Sequence, residues 1–212
     1  MLGTSIDIKY PGLNILPPGV ERHVVNGGGL TAFQIFPDDE LEIINNEGNQ
    51  ICEIICFNKD GKSDVGILNL KSNNKKNFIR NILNGKDETI LATNYQLKKR
   101  NLNISDSKSS IIFDPDTKAG ESMKFKSKDK CFAIFAAPGD DMDITNQNPP
   151  SDLTIFIKRF KIINDKELNV IPDPVFEPLY EENINKETSI SYQVKEGDYI
   201  QVISPTGRQC SD

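Results

Sequence analysis

The chain predicts a mainly β fold, a sandwich or distorted barrel of short antiparallel strands with one main helix. Three observations predict it. Apolar and polar residues alternate over short windows, as at Leu41 and Ile43, or at Ile190, Tyr192 and Val194. Turn-forming groups such as Asp60-Gly61, Glu196-Gly197-Asp198 and Ser204-Pro205-Thr206-Gly207 punctuate those windows. A helical apolar stripe occurs once, at Phe78, Ile79, Ile82 and Leu83, with Asn73 or Asn74 as cap and Gly85 as stop.

Taken in order, residues 1–30 read as an arm. Pro11-Gly12, Pro17-Pro18-Gly19 and Gly27-Gly28-Gly29 interrupt it, and the triple glycine lacks the Lys-Ser/Thr and the helix that a phosphate loop needs. Strands are expected at about 31–36, 40–45, 50–58 and 65–70. The helix at about 74–84 follows, and then strands at 89–92, 110–113, 122–126, 130–137 and 153–160. Residues 164–187, with Pro172, Pro174 and Pro178 among acids and asparagines, read as a linker.

The last stretch restates an early one. Laid over residues 31–53 without a gap, residues 190–212 match at Gln34/Gln193, Asp39/Asp198, Ile44/Ile203, Gly48/Gly207 and Gln50/Gln209, and Glu53 falls on Asp212. The organisation expected is therefore an arm (1–30), a first copy of a β domain (31–163), a linker (164–187) and the opening strands of a second copy (188–212). A final strand without ladder or cover is weakly held, so a fragment of a longer protein is expected.

Composition narrows the function. Of the residues, 37% are hydrophobic and 26% charged, the net charge is −6 and the pI is near 5.0, which argues against a nucleic-acid or anionic-membrane surface. No apolar run approaches the ~20 residues of a membrane helix, and no secretory leader is visible. Four cysteines, at 52, 56, 131 and 210, make neither a metal pair nor a disulfide framework, which points to a reduced, cytoplasmic setting.

Candidate chemistry is sparse. His23 is the sole histidine and reads as a surface or packing residue. Cys52 and Cys56 share a strand face but sit ~13 Å apart at ~3.3 Å per residue, so they read as buried small hydrophobes, as does Cys131. Asp140-Asp141-Met142-Asp143 lacks the spacing of a calcium loop and reads as a solvated turn. The ending differs: Gly207, Arg208, Gln209, Cys210 and Asp212 bring a turn, a guanidinium, an amide, a thiol and a carboxylate to the re-entry of a strand. Asp212 is the candidate acid/base and Arg208 and Gln209 the candidate substrate ligands. A purely structural, hydrogen-bonded turn is the competing reading.

The run Glu196-Gly197-Asp198-Tyr199-Ile200-Gln201-Val202-Ile203, followed by Gly207-Arg208-Gln209-Cys210-Ser211-Asp212, resembles the opening of the urea carboxylase-associated family, which includes carboxyguanidine deiminase subunits. The Arg-Gln-Cys-Ser-Asp form is similar to members fused ahead of a glycine-cleavage T-protein-like, folate-binding domain, as in trimethylamine N-oxide demethylases. Ala119-Gly120-Glu121 and Cys131–Asp140 resemble later family segments, although Ala137 stands where the family tends to have Cys. Nothing between Ile90 and Gly120 supplies a Cys or His.

The resemblance implies a zinc- and tetrahydrofolate-using parent that converts an N-methyl amine oxide to dimethylamine and formaldehyde, with neither cofactor in this chain. The first copy, Glu53 included, would be structural. Expected partners are the rest of the polypeptide or a homologous subunit and a small amine or amidine substrate, with a homo-oligomer as a further possibility. A carboxyguanidine deiminase-like amidine hydrolase subunit, and a non-catalytic scaffold or dimerisation domain, are the alternatives.

Overall fold

The computed structural model describes residues 16–73, 78–139, 149–161 and 176–203. Its eight antiparallel strands are β1 (Val20–Val25), β2 (Leu30–Ile35), β3 (Glu40–Asn45), β4 (Cys52–Asn58), β5 (Ser109–Phe113), β6 (Glu121–Lys126), β7 (Cys131–Ala136) and β8 (Leu153–Lys158). They form two sheets, ordered β1-β8-β3-β6 and β2-β7-β4-β5. The mainly β expectation holds in its sandwich form; neither sheet closes into a barrel.

Alternation decides what each sheet packs on. In β3, Leu41 and Ile43 turn inward and are 1% and 0% exposed, while Glu40 faces solvent. They meet Ile155 and Ile157 of β8 and, across the sandwich, Ile54, Cys56, Ala133 and Phe135. β4 and β7 are buried along both faces. Their other face (Ile55, Phe57, Phe132 and Ile134) is covered by Ile79, Leu83, Ile90 and Leu97 of the helical segment. That third layer explains why the two strands read as continuous apolar runs rather than alternating ones. Each buried Ile or Phe is worth ~1.5–3 kcal/mol relative to exposure, so the double-faced strands anchor the fold.

Three expectations for residues 65–99 are corrected. Helix α1 spans Phe78–Ile82, residues 74–77 lying outside the described ones, and it is not the main helix. That role falls to α2, Glu88–Lys99, whose first turn was expected as a strand at 89–92. Its stripe of Ile90, Thr93 and Leu97 is narrow, but Glu88 sits at its positive end and Lys98 and Lys99 at its negative end, matching the helix dipole. Residues Val65–Leu68 form a 3-10 turn rather than a strand. There the Asp64 carboxylate accepts from the Gly66 N–H, and the chain stops at Asn69 in the left-handed region.

The arm contains β1, which pairs with β8 from Val20–Lys158 to Val25–Leu153. Val25 is its one fully buried apolar residue, and Glu21 and His23 on the same face are polar, so no apolar alternation marks the strand. Arg159, 6% exposed, donates to both oxygens of Glu21 at 2.7 and 2.8 Å and to Asp39 Oδ2 at 2.8 Å, so charge complementarity stands in for apolar packing at that edge. The expected strands at 190–194 and 200–203 are likewise not formed: residues 188–203 carry turns and no strand.

Candidate functional site

Arg208, Gln209 and Asp212 lie outside the described residues, as does the acidic run Asp140–Asp143. The residues that fall on them in the sequence register, their counterparts Asn49, Gln50 and Glu53, are described. The turn before β4 is set by Gly48 and Asn49, both left-handed with φ of 80° and 58°. A Cβ on Gly48 would stand 2.6 Å from the Ala119 nitrogen and 2.8 Å from the Thr117 oxygen, so only glycine lets the two backbones approach. The Asn49 N–H closes the contact by donating to Thr117 O at 2.7 Å.

Gln50, the counterpart of Gln209, is 4% exposed, and its amide is spent on backbone. Nε2 donates to Ile51 O and Pro138 O at 2.9 Å each, and Oε1 accepts from the Ser151 N–H at 2.7 Å. It ties the β4 entry to the loops that leave β7 and precede β8. Asn45 braces the same turn by donating to Gln50 O at 2.8 Å, while its buried Oδ1 has no partner among the described residues. A cleft of about 270 Å³ opens beside this knot, between Asn49, Ile51, Pro115 and Pro150.

Glu53, the counterpart of Asp212, is 1% exposed at a register shift in β4. Its Oε2 accepts from the Ile79 N–H at 2.7 Å and its Oε1 from Ser109 Oγ at 2.7 Å. The carboxylate thus joins β4, β5 and the first turn of α1, where the N–H groups lack helical partners. It is enclosed, and both oxygens are engaged.

The remaining candidates take structural places too. His23 stacks on Phe33 with ring centroids 4.4 Å apart and bonds Glu21 at 3.0 Å. Burial pushes the Cys52 thiol well above its ordinary range. A shared hydrogen bond with Cys131, and then burial, does the same for Cys56. All three thiols are buried and behave as small hydrophobes. Zinc needs about three ligands of suitable softness. Among the described residues no group of three or more His, Cys, Asp or Glu could hold a metal ion, so these residues do not fit the zinc that the resemblance implies. Among the same residues no helix is long and apolar enough to cross a membrane.

No protein-family model matches the sequence. Over 205 residues, 97% of this chain, it is 33% identical to the trimethylamine-oxide aldolase of Ruegeria pomeroyi. The chain is similar to a part of that enzyme. It spans 26% of the relative's length. Among solved structures, a DUF1989 family protein from Silicibacter pomeroyi aligns over 74% of this chain and 85% of its own, with a TM-score of 0.37 and 10% identity. Sequence reasoning missed the Arg159–Glu21–Asp39 cluster and the cap that Glu53 places on α1. The signals were present, an acid in an apolar strand and an arginine directly after one, but neither names its partner.

Proposed function

We propose that this chain is the N-terminal, non-catalytic portion of a trimethylamine N-oxide demethylase-like enzyme of the urea carboxylase-associated type, fused to a T-protein-like folate domain. The 33% identity to a trimethylamine-oxide aldolase along 97% of the chain carries the reading. The reaction converts trimethylamine N-oxide to dimethylamine and formaldehyde, with every atom of the substrate in the two products. Zinc would supply Lewis-acid chemistry with ligands from the rest of the longer polypeptide, and tetrahydrofolate would accept the formaldehyde in the downstream domain.

The two copies divide the labour. In the first, the acid at Glu53 is consumed by a helix cap and a strand hydroxyl. In the second, Asp212 stands at the matching place. There it would face the cationic nitrogen of the substrate and carry the proton that passes from a methyl group to the dimethylamine nitrogen, while Arg208 would donate to the negative N-oxide oxygen. Gln209 is assigned the part Gln50 plays, locking the turn that presents its neighbours. The protein is assigned to the cytoplasm on its reduced cysteines.

The test is formaldehyde and dimethylamine release from trimethylamine N-oxide by the longer polypeptide, with and without Asp212→Asn. Turnover that falls at least ~1000-fold while the unfolding midpoint is kept supports the assignment. Unchanged turnover removes Asp212 from the mechanism. Ammonia from carboxyguanidine, with no formaldehyde from the amine oxide, replaces the reaction with an amidine hydrolysis.

A further inference from the structure

Residues 176–203 carry no strand, yet their turns are those of the first copy. In the register that places Asp39 on Asp198, Asn26 falls on Asn185 and Gly29 on Thr188. The Gly29 N–H donates to Asn26 O at 2.8 Å, and the Thr188 N–H to Asn185 O at 3.1 Å. The residues between are left-handed in both, Gly28 with φ 77° and Glu187 with φ 63°. A glutamate gains nothing locally from that conformation, which costs ~1–2 kcal/mol in a residue bearing Cβ.

The next turn repeats in the same way. The Asp39 N–H donates to Phe36 O at 3.2 Å and the Asp198 N–H to Lys195 O at 3.1 Å. Asp39 Oδ2 accepts from the Phe36 N–H at 3.0 Å, and Asp198 Oδ2 from the Lys195 N–H at 2.7 Å. Asp38 and Gly197, which fall on each other in that register, have φ of 66° and 89°.

Topology explains turns without strands. In the first copy β1 pairs with β8, β2 with β7, and β3 with β6 and β8; the first three strands never pair with one another. Their turns close locally, but every ladder waits for the second half of the domain. A segment holding only the counterparts of β1–β3 therefore has its turns and no sheet. Its inward positions stay bare: Val194, Ile200 and Val202 are 54%, 50% and 66% exposed, where Ile35, Leu41 and Ile43 are 0%, 1% and 0%. The segment touches the preceding domain at its start, where Phe176 packs on Tyr95 and Glu177 accepts from the Tyr95 hydroxyl at 2.7 Å, and Tyr199 meets the edge of Phe176 with ring centroids 5.8 Å apart.

We infer that residues 179–203 are the first three strands of a second sandwich with the topology of the first, and that they are covered by β6-, β7- and β8-like strands of the longer polypeptide. About three quarters of the similar aldolase lies outside the match, which is room for them. A β7-like strand adds to residues 189–194, and β6- and β8-like strands flank residues 199–203. The inference rests on the proposal that this chain is part of such a longer enzyme.

Hydrogen–deuterium exchange on the longer polypeptide and on the 1–212 chain tests it. Backbone amides of 189–194 and 199–203 exchange at least ~100-fold more slowly in the longer polypeptide. Ile200→Asp removes that protection there and leaves unfolding of the 1–212 chain unchanged. Equally fast exchange in both proteins overturns the inference. Slow exchange in the 1–212 chain that grows with its concentration also overturns it, because the partner is then a second copy of this chain. Turnover of the same longer preparation is read separately: a protected tail without demethylation rejects the functional reading alone, and demethylation with an unprotected tail rejects this inference alone.

Discussion

Asp39→Ala should be among the most costly substitutions in this chain, and its counterpart Asp198→Ala among the cheapest. Asp39 is 1% exposed and holds three donors: Arg159 Nη1 at 2.8 Å, the Phe36 N–H at 3.0 Å and the Phe160 N–H at 3.0 Å. Removing one member of a buried ion pair costs ~3–5 kcal/mol, because the other is left buried and undercompensated. Here Arg159 keeps Glu21 and the Gln34 carbonyl, which lowers that figure, while two stranded N–H groups add ~1 kcal/mol or more each. The sum stays at ~3–5 kcal/mol.

With a urea m-value of ~2–3 kcal/mol/M, the midpoint falls by ~1–2 M. Asp198 makes the same two turn bonds in an exposed segment, so Asp198→Ala in the 1–212 chain changes stability by less than ~0.5 kcal/mol. Urea melts of the two variants decide the matter. A shift below ~0.3 M for Asp39→Ala would refute the claim that Arg159, Glu21 and Asp39 hold the β1 edge.

Acid should unfold the chain partly through Glu21. Burial alone would raise its carboxyl, but hydrogen bonds from His23 and Arg159 outweigh it and bring the pKa from 4.5 down to about 2. A depressed carboxylate stabilises the fold above pH 4.5, and that contribution is lost as pH falls toward 2. With the side chain a third exposed, its worth is discounted to ~1–2 kcal/mol, and Glu21→Gln should flatten the melting temperature against pH over that window. Glu53→Gln places an NH₂ against a donor, either the Ile79 N–H or the Ser109 hydroxyl, and should cost ~1–3 kcal/mol by denaturant melt. Cys52, Cys56 and Cys131 should resist alkylation in the native chain and react on addition of denaturant, as peptide mass mapping would read.

Much of the sandwich was legible because its strands alternate or are bounded by turns. The expected strand at 40–45 is β3 as observed, since Leu41 and Ile43 face in while Glu40 and Glu42 lie on the other face. Helix α2 was hidden by its own composition. Thr89-Ile90-Leu91-Ala92 looks like a short strand, and the buried stripe depends on Thr93, whose hydroxyl is satisfied by Thr89 O at 2.8 Å. β1 was hidden because its inward face carries Glu21 and His23 ahead of Val25, and Glu21 finds its partner, Arg159, at the far end of the domain.

The tail shows a different limit. Its alternation marks strand-forming segments, but a ladder belongs to two segments, and the pattern of one does not say where the other is. The candidate site divides likewise. Glu53 and Asp212 fall on each other in the sequence register, but the use of Glu53 as a helix cap required knowing that α1 begins above it.

The division of labour between the copies is tested most directly by the rate of formaldehyde release from trimethylamine N-oxide. The comparison is between the longer polypeptide carrying Glu53→Gln and the same polypeptide carrying Asp212→Asn, both assayed well below their unfolding temperatures. The account predicts that Glu53→Gln keeps its rate within ~3-fold of the unmodified enzyme while Asp212→Asn loses at least ~1000-fold. Equal losses in the two variants, or a loss confined to Glu53→Gln, would contradict it.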